Sequence, residues 1–294
     1  MINSMTQGKR FYIANEGVKF PCFITLAICA MLTIHSSSRK IQNMSHPSKI
    51  LITGATSGLG WEMTQQFAAR GDALIASGRN QAKLGALGDF EGVEARHLDM
   101  SSSAAISEFC SPISALSGLI LNAGVTYFDR FETGNFETDA ALVQTNVTAN
   151  LQLIRELLPA LKAGNGRILI IASVGGLIPL PYQAVYSGSK AFMINLGLAL
   201  REELKAEGIR ISVFAPGGIK TEMTNIAGMK GLEKELAPVS EVAAAALRAY
   251  DKMPPLTIPG AQNKLAALMS KLLPRSFLAN QAGRIYKKSI DQVK

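Results

Sequence analysis

Histidine and cysteine are scarce in this chain, with three of each among 294 residues. Cys22, Cys29 and Cys110 are too few for a disulfide framework and have no metal-ligand spacing. His35, His46 and His97 are scattered, which argues against a histidine metal site, and no metal is expected. Internal repeats and low-complexity tracts are also lacking, so solenoid and biased-composition classes fall away. Residues 20–38 carry no formal charge, yet only 20–34 are apolar throughout. That is shorter than the ~20 residues a membrane-spanning helix needs.

What is present suits a globular body. Hydrophobic residues make up 48% of the chain, ample for a core, and 26 glycines suit a fold with many tight turns. The net charge of +8 is unevenly placed. Residues 1–49 hold six Lys or Arg against one Glu, and residues 261–294 hold seven against one Asp. The middle is therefore net negative. A nucleic-acid binder would carry a basic stripe on its folded body. Two basic ends fit an anionic membrane surface instead, or simply solubility.

Residues 1–47 read as an extension, with the apolar segment 20–34 inside it. Met44-Ser45-His46-Pro47 would make an ordinary start just before the first strand. An over-long start or loosely ordered extension is favoured for residues 1–43, ahead of a membrane anchor and of export. Residues 48–294 then form one domain.

Lys49–Thr53 is an aliphatic strand running into Gly54-Ala55-Thr56-Ser57-Gly58-Leu59-Gly60, with an apolar-periodic helix from Trp61 to Arg70. Strand, glycine turn and helix give the setting that a dinucleotide fingerprint requires. Gly54 and Gly58 allow a tight turn and close approach of a pyrophosphate, and the helix N-terminus offers it N–H groups. Gly60 permits close helix–strand contact. A second strand, Ala73–Ser77, ends at Gly78-Arg79. An acid at this place would meet the ribose hydroxyls of NAD; Arg79 instead suits a 2′-phosphate, favouring NADP(H) over NAD(H). Ser57 and Asn80 add only neutral hydrogen bonds, leaving Arg79 as the one visible cation.

Further strand-like runs lie at Val93–Leu98, Gly118–Leu121, Ile168–Ala172 and Ile209–Phe214, mostly separated by helical segments. Strands alternating with helices imply a doubly wound, mostly parallel α/β sheet. Asp99 and Asn122-Ala123-Gly124 fall at carboxyl ends of strands, where ligands bind in such sheets. The run ending at Ser173 is followed by a helix carrying Tyr186 and Lys190, four apart and so on one face. A phenol beside an ammonium is expected to have a lowered pKa and to serve as proton donor and acceptor. Ser173 can hydrogen-bond the same substrate oxygen.

These motifs, in this order, resemble the short-chain dehydrogenase/reductase family in its single-domain form, from about Lys49 to Ile258. Thr53 to Gly60 is similar to its TGxxxGxG turn. Asn122-Ala123-Gly124 is similar to its NNAG element, with Leu121 in place of the first Asn. Ser173, Tyr186 and Lys190 match its Ser and YxxxK, and Asn146 falls where the family places a catalytic Asn. Pro216, Gly217 and Thr221 match the element that meets the nicotinamide amide. The resemblance implies a seven-stranded Rossmann sheet, with Leu256–Pro259 as the last strand. It implies that Tyr186 exchanges a proton with a carbonyl or alcohol oxygen while Ser173 orients that oxygen. Lys190 would lower the Tyr186 pKa and hold the ribose, and Asn146 would position a proton-relaying water.

The reading is an NADP(H)-dependent oxidoreductase acting on a small-molecule carbonyl or alcohol. An NAD-linked alcohol dehydrogenase and a non-catalytic NADP(H)-sensing protein are the alternatives; the complete tetrad speaks against the sensor. Apolar residues Met223, Ile226, Met229 and Leu232, together with the tail from Leu265 to Leu278, suit a substrate cap over 217–236 and 260–290. That favours a hydrophobic ketone or aldehyde. A helix over 263–273 is expected, with Lys264 and Lys271 off the Leu face, either capping the pocket or lying on a membrane surface. Homo-oligomers and a cytoplasmic catalytic domain, with at most peripheral membrane contact, complete the expectation.

Overall fold

Short aliphatic runs buried on both faces are what a central parallel sheet demands, and such runs build this one. The computed structural model describes residues 48–224 and 236–291. Expectations for residues 1–47, and for Ile226, Met229 and Leu232, lie outside the described residues. The strands are β1 (Lys49–Thr53), β2 (Leu74–Gly78), β3 (Val93–His97), β4 (Leu116–Leu121), β5 (Arg167–Ile171), β6 (Arg210–Phe214) and β7 (Leu256–Thr257). All pair in parallel in the order β3-β2-β1-β4-β5-β6-β7. The expected seven-stranded doubly wound sheet is therefore present. β3 is an edge strand with Glu94 and Arg96 along it, charges that discourage further strand pairing.

Helices cover both faces. On one side lie α1 (Gly58–Ala69), α2 (Gln81–Gly88) and α7 (Val239–Lys252); Phe67 of α1 meets Tyr250 of α7 edge to face, with ring centroids 5.4 Å apart. On the other lie α3 (Ser103–Cys110), α5 (Ala149–Ala163) and α6 (Ala184–Glu203), with Ile106, Leu153, Leu157 and Met193 in the shared core. α4 (Phe136–Val143) leads into α5 through one π-turn, Gln144–Thr148. There the Ala149 N–H bonds the Gln144 carbonyl, one residue further back than in an α-helix. Two helices close the chain: α8 (Ala261–Leu272) and α9 (Arg275–Asp291).

The order of strands reverses direction between β1 and β4. A crevice opens there at the carboxyl ends of the strands, and it becomes the candidate site. Most strand ends shift by a residue or two from the sequence expectation, and three larger differences have a physical cause. α1 begins at Gly58, inside the glycine turn, because the extended Ser57 already serves as its cap residue. β7 has only two residues, since Pro254 and Pro255 before it and Pro259 after it cannot donate to a ladder. α9 was not expected at all, because Pro274 reads as a stop. In fact Pro274 lies directly before the first residue of a second helix, where proline is tolerated.

Candidate active site

The glycine turn owes its shape to backbone crowding. Gly54 and Gly58 have φ of +66° and +48°, the left-handed region that favours glycine. A Cβ on Gly60 would sit 2.2 Å from the Gly54 carbonyl oxygen, so only glycine lets α1 start this close to the turn. The turn is tied to β4 by two side chains. Thr53 Oγ1 accepts from the N–H groups of Asn122 and Ala123, each at 3.0 Å. Asn122 Nδ2 donates to the carbonyls of Thr53 at 2.9 Å and Gly54 at 3.2 Å.

A cleft of about 740 Å³ runs along the carboxyl ends of the strands. At one end lie Arg79, Asn80 and Lys83; next come Gly54, Thr56, Ser57, Gly58 and Leu59, with Asp99 beside them. Asn122, Ala123 and Gly124 also line it, as do Ser173, Tyr186, Lys190, Pro216 and Gly217. Thr221 lies against the glycine turn, where a Cβ on Gly58 would come 3.1 Å from its Cγ2. Thr53, Gly60 and Asn146 are not in the lining. Thr53 is fully buried as the splice between β1 and β4, and Gly60 is spent on close packing. Asp99 accepts from the N–H and hydroxyl of Ser101, at 2.9 and 2.8 Å, which hold its carboxyl below the usual range.

The expected catalytic residues gather around Ser173, Tyr186 and Lys190. Ser173 caps a short turn by accepting from the Gly175 N–H at 3.0 Å, and its hydroxyl bonds the Tyr186 phenol. Lys190 is buried, donates to the Ile171 carbonyl at 3.0 Å and lies 5.8 Å from the centroid of the Tyr186 ring. Asn146 receives the Val125 N–H at 2.8 Å and donates to the Val125 carbonyl at 2.9 Å and Ser189 Oγ at 3.1 Å. A Cβ on Gly124 would lie 3.1 Å from Asn146 Oδ1 and 3.3 Å from Lys190 Nζ. The four expected catalytic residues thus gather at one place, Asn146 just behind the wall.

One expectation about their electrostatics changes. Burial pushes the Tyr186 phenol up from its ordinary value, and only the Ser173 hydrogen bond pulls it back. The Lys190 ammonium is directed at the Ile171 carbonyl rather than at the phenol, and burial brings its own pKa down to about 8.

Four cleft or near-cleft residues escaped the sequence reading. Lys83 sits on the first turn of α2 and pairs with Glu222 at 3.2 Å; a second cation therefore stands near Arg79. Asn263 of α8 packs where a Cβ on Gly217 would come within 2.3 Å of its Oδ1. Tyr286 of α9 meets Phe128 edge to face at 5.2 Å and is close enough to Tyr186 for the two phenolates to repel. Asn150 is buried, and its Nδ2 donates to the carbonyls of Thr145 at 3.1 Å and Asn146 at 3.0 Å. Those two acceptors fix the orientation of the amide, whose Oδ1 has no partner among the described residues. Asn150 thus clamps the π-turn that delivers Asn146, at a desolvation cost of about 1–3 kcal/mol.

Comparison with known proteins agrees with this geometry. The family model described as short chain dehydrogenase matches residues 48–230. The chain belongs to that family of oxidoreductases. It is 30% identical over 266 residues to dehydrogenase/reductase SDR family member 7B of Xenopus laevis, covering 82% of each chain. It is 31% identical to 3-oxoacyl-(acyl-carrier-protein) reductase FabG of Escherichia coli strain K12, over 62% of this chain and 78% of that one. Among solved structures, a short-chain dehydrogenase from Sphingobium yanoikuyae in complex with NADPH superposes with a TM-score of 0.69 at 29% identity. That match covers 76% of this chain and 93% of the other.

Two outcomes follow from the clamp and the buried amine. Asn150→Leu removes the unpaired oxygen but frees both carbonyls, so turnover is expected to fall by about ten- to a hundredfold while the melting midpoint changes little. Loss of the fold with loss of turnover would make Asn150 merely structural. For Lys190 the sign is set by burial: the ammonium dominates at pH 7 and is lost as pH rises through about 8. NMR of lysine side chains should show one resonance titrating there, absent in Lys190→Arg; a Lys190 titration at the ordinary 10.5 contradicts the assignment.

Proposed function

We propose that the chain is an NADP(H)-dependent reductase of hydrophobic ketones or aldehydes, able to run in the alcohol-oxidising direction. The observation that carries this is the Ser173–Tyr186 hydroxyl pair beside the buried Lys190, at the apolar end of a cleft that begins in a glycine turn. The cleft fits a dinucleotide. Its turn leaves no room for a Cβ at Gly60, its volume lies in the range of cofactor sites, and Arg79 and Lys83 stand at the end where a 2′-phosphate would lie.

Bound there, the nicotinamide supplies or accepts a hydride. The protein does the rest. Ser173 donates a hydrogen bond to the substrate oxygen and holds it against Tyr186. Tyr186 gives its phenolic proton to that oxygen as the carbon is reduced. The Lys190 ammonium, 5.8 Å from the ring centroid, steadies the phenolate left behind. A phenol whose pKa is raised by burial stays protonated at neutral pH, which suits the donor role in reduction. In the reverse direction the phenolate must form, and Lys190 then matters most.

The substrate end of the cleft is lined by Val125, Phe128, Ile178, Leu180, Leu278 and Ile285, with Tyr286 across from Tyr186. Such walls favour an apolar carbonyl compound over a charged one. Met223, of the expected loop cap, also lines the cleft. Exposed Phe131, Phe136, Val143 and Phe192, on or beside α4 and α6, suit pairing with a second copy. A cofactor of this kind supports a catalytic domain on the cytoplasmic side over one in the periplasm or outside the cell. Among the described residues no helix is long and apolar enough to cross a membrane.

Two measurements test the reading. A screen of carbonyl compounds with NADPH should find a substrate, and Tyr186→Phe should abolish its turnover while leaving cofactor binding; wild-type turnover by the Phe variant refutes the donor role. Titration of NADPH and NADH should show NADPH tighter by about tenfold to a hundredfold, most of it lost in Arg79→Ala and part in Lys83→Gln. Equal affinities in the wild type contradict the cofactor assignment.

A further inference from the structure

Helix α8 turns an apolar stripe outward. Leu265, Leu268 and Leu272 follow i, i+3, i+7 spacing, the pattern of one helix face, and are 59%, 52% and 67% exposed. Phe277 and Ile285 of α9 add two more large apolar side chains at 49% and 55% exposure. These five are half of the large exposed hydrophobics among the described residues. Scattered apolar residues on a surface need no explanation, but a stripe of this length does.

The charges around the stripe are all of one sign. Between 261 and 287 stand Lys264, Lys271, Arg275, Arg284 and Lys287, all exposed, with no Asp or Glu. Among the described residues none of the five takes part in an ion pair. Lys264 and Lys271 are seven apart, so they form a basic edge along one flank of the leucines. Outside its two ends the chain is net negative, so among the described residues the excess of positive charge is local to these helices.

We infer that α8 and α9 form a docking surface for an anionic lipid bilayer, with the leucines in the interface and the lysines and arginines on lipid phosphates. A second copy of the chain is the weaker occupant. A symmetric pairing through this face would set five cations against five like cations, whereas anionic headgroups neutralise them. The contact is interfacial, as no described helix is built to span.

The same helices wall the cleft. Asn263 of α8, and Leu278, Gln281, Ala282, Ile285 and Tyr286 of α9, line it from the other side. Ile285 is both half exposed and part of the lining, so the lipid surface and the substrate end share a rim. An apolar compound dissolved in the bilayer would reach that rim without crossing water. This step rests on the substrate reading above; the lipid contact does not.

Co-sedimentation of the full chain with vesicles decides the matter. Strong binding is expected to vesicles of mixed phosphatidylcholine and phosphatidylserine, weaker binding to phosphatidylcholine alone, and a loss with added salt. Lys264→Gln with Lys271→Gln should weaken partition to the mixed vesicles by about thirtyfold, at about 1 kcal/mol per lysine. Leu265→Ser with Leu268→Ser should lower it on both vesicle types, with the melting midpoint and NADPH affinity unchanged. Wild-type binding by both double variants would put the lipid contact elsewhere in the chain and overturn the proposal. So would an absence of binding by the wild type, or a change of oligomer size on Leu265→Ser/Leu268→Ser without any lipid binding. Failure to bind NADPH in the wild type would refute the oxidoreductase reading and leave the lipid result standing.

Discussion

A buried ammonium is the constraint around which the site is built. Lys190 lies under the protein surface with the Ile171 carbonyl as its hydrogen-bond partner, and burial alone lowers its pKa to about 8. Holding a charge there is unfavourable, so the chain makes room and supplies dipoles for it. A Cβ at Gly176 would fall 2.7 Å from the Lys190 carbonyl carbon, and one at Gly124 would fall 3.3 Å from its Nζ. Gly176 thus makes room for the Lys190 backbone, and Gly124 for its ammonium and for Asn146. β5 supplies the acceptor at its carboxyl end, α6 supplies the lysine, and the loop after β4 supplies the missing volume. The sheet order brings those three together, which is why the chemistry sits at the carboxyl edge.

The π-turn solves a second problem of the same kind. Asn146 must face Val125 and Ser189 from a helix whose other residues pack on the sheet. One extra residue per turn rotates it into place but releases backbone carbonyls. Asn150 takes up two of them and leaves its own oxygen unpaired in the core. Local stability has been given up there for the placement of Asn146, as happens at functional sites.

How much of this was legible in the sequence depends on how local each signal is. The inner strands stood out because burial on both faces makes them continuous aliphatic runs. The glycine turn and the Tyr186–Lys190 pair stood out because their parts lie within a few residues of one another. Lys83 did not, since a lysine near the start of a helix looks like any solvated charge until Glu222 and the cleft are placed beside it. Asn150 did not, because its role exists only in a π register that no periodicity announces. Tyr286 and Asn263 come from a tail whose pattern, amphipathic and basic, is equally that of a surface helix. The pKa expectation for Tyr186 erred because spacing shows that two groups share a face, not that one of them is hydrogen-bonded elsewhere and both are buried.

The tail deserves its weight in the mechanism for the same reason. The proposed donor Tyr186, the proposed orienting Ser173 and the buried Lys190 lie on α6 and the turn after β5, and nothing in that set would select one apolar carbonyl over another. Selection must come from what closes the other side. Among the described residues that side is α9, through Leu278, Gln281, Ala282, Ile285 and Tyr286, with Phe128 beneath it. Tyr286 lies close enough to Tyr186 for a phenolate there to push the Tyr286 phenol up, after burial has already raised it. α9 thus shapes the substrate end of the cleft and sets a second phenol near Tyr186.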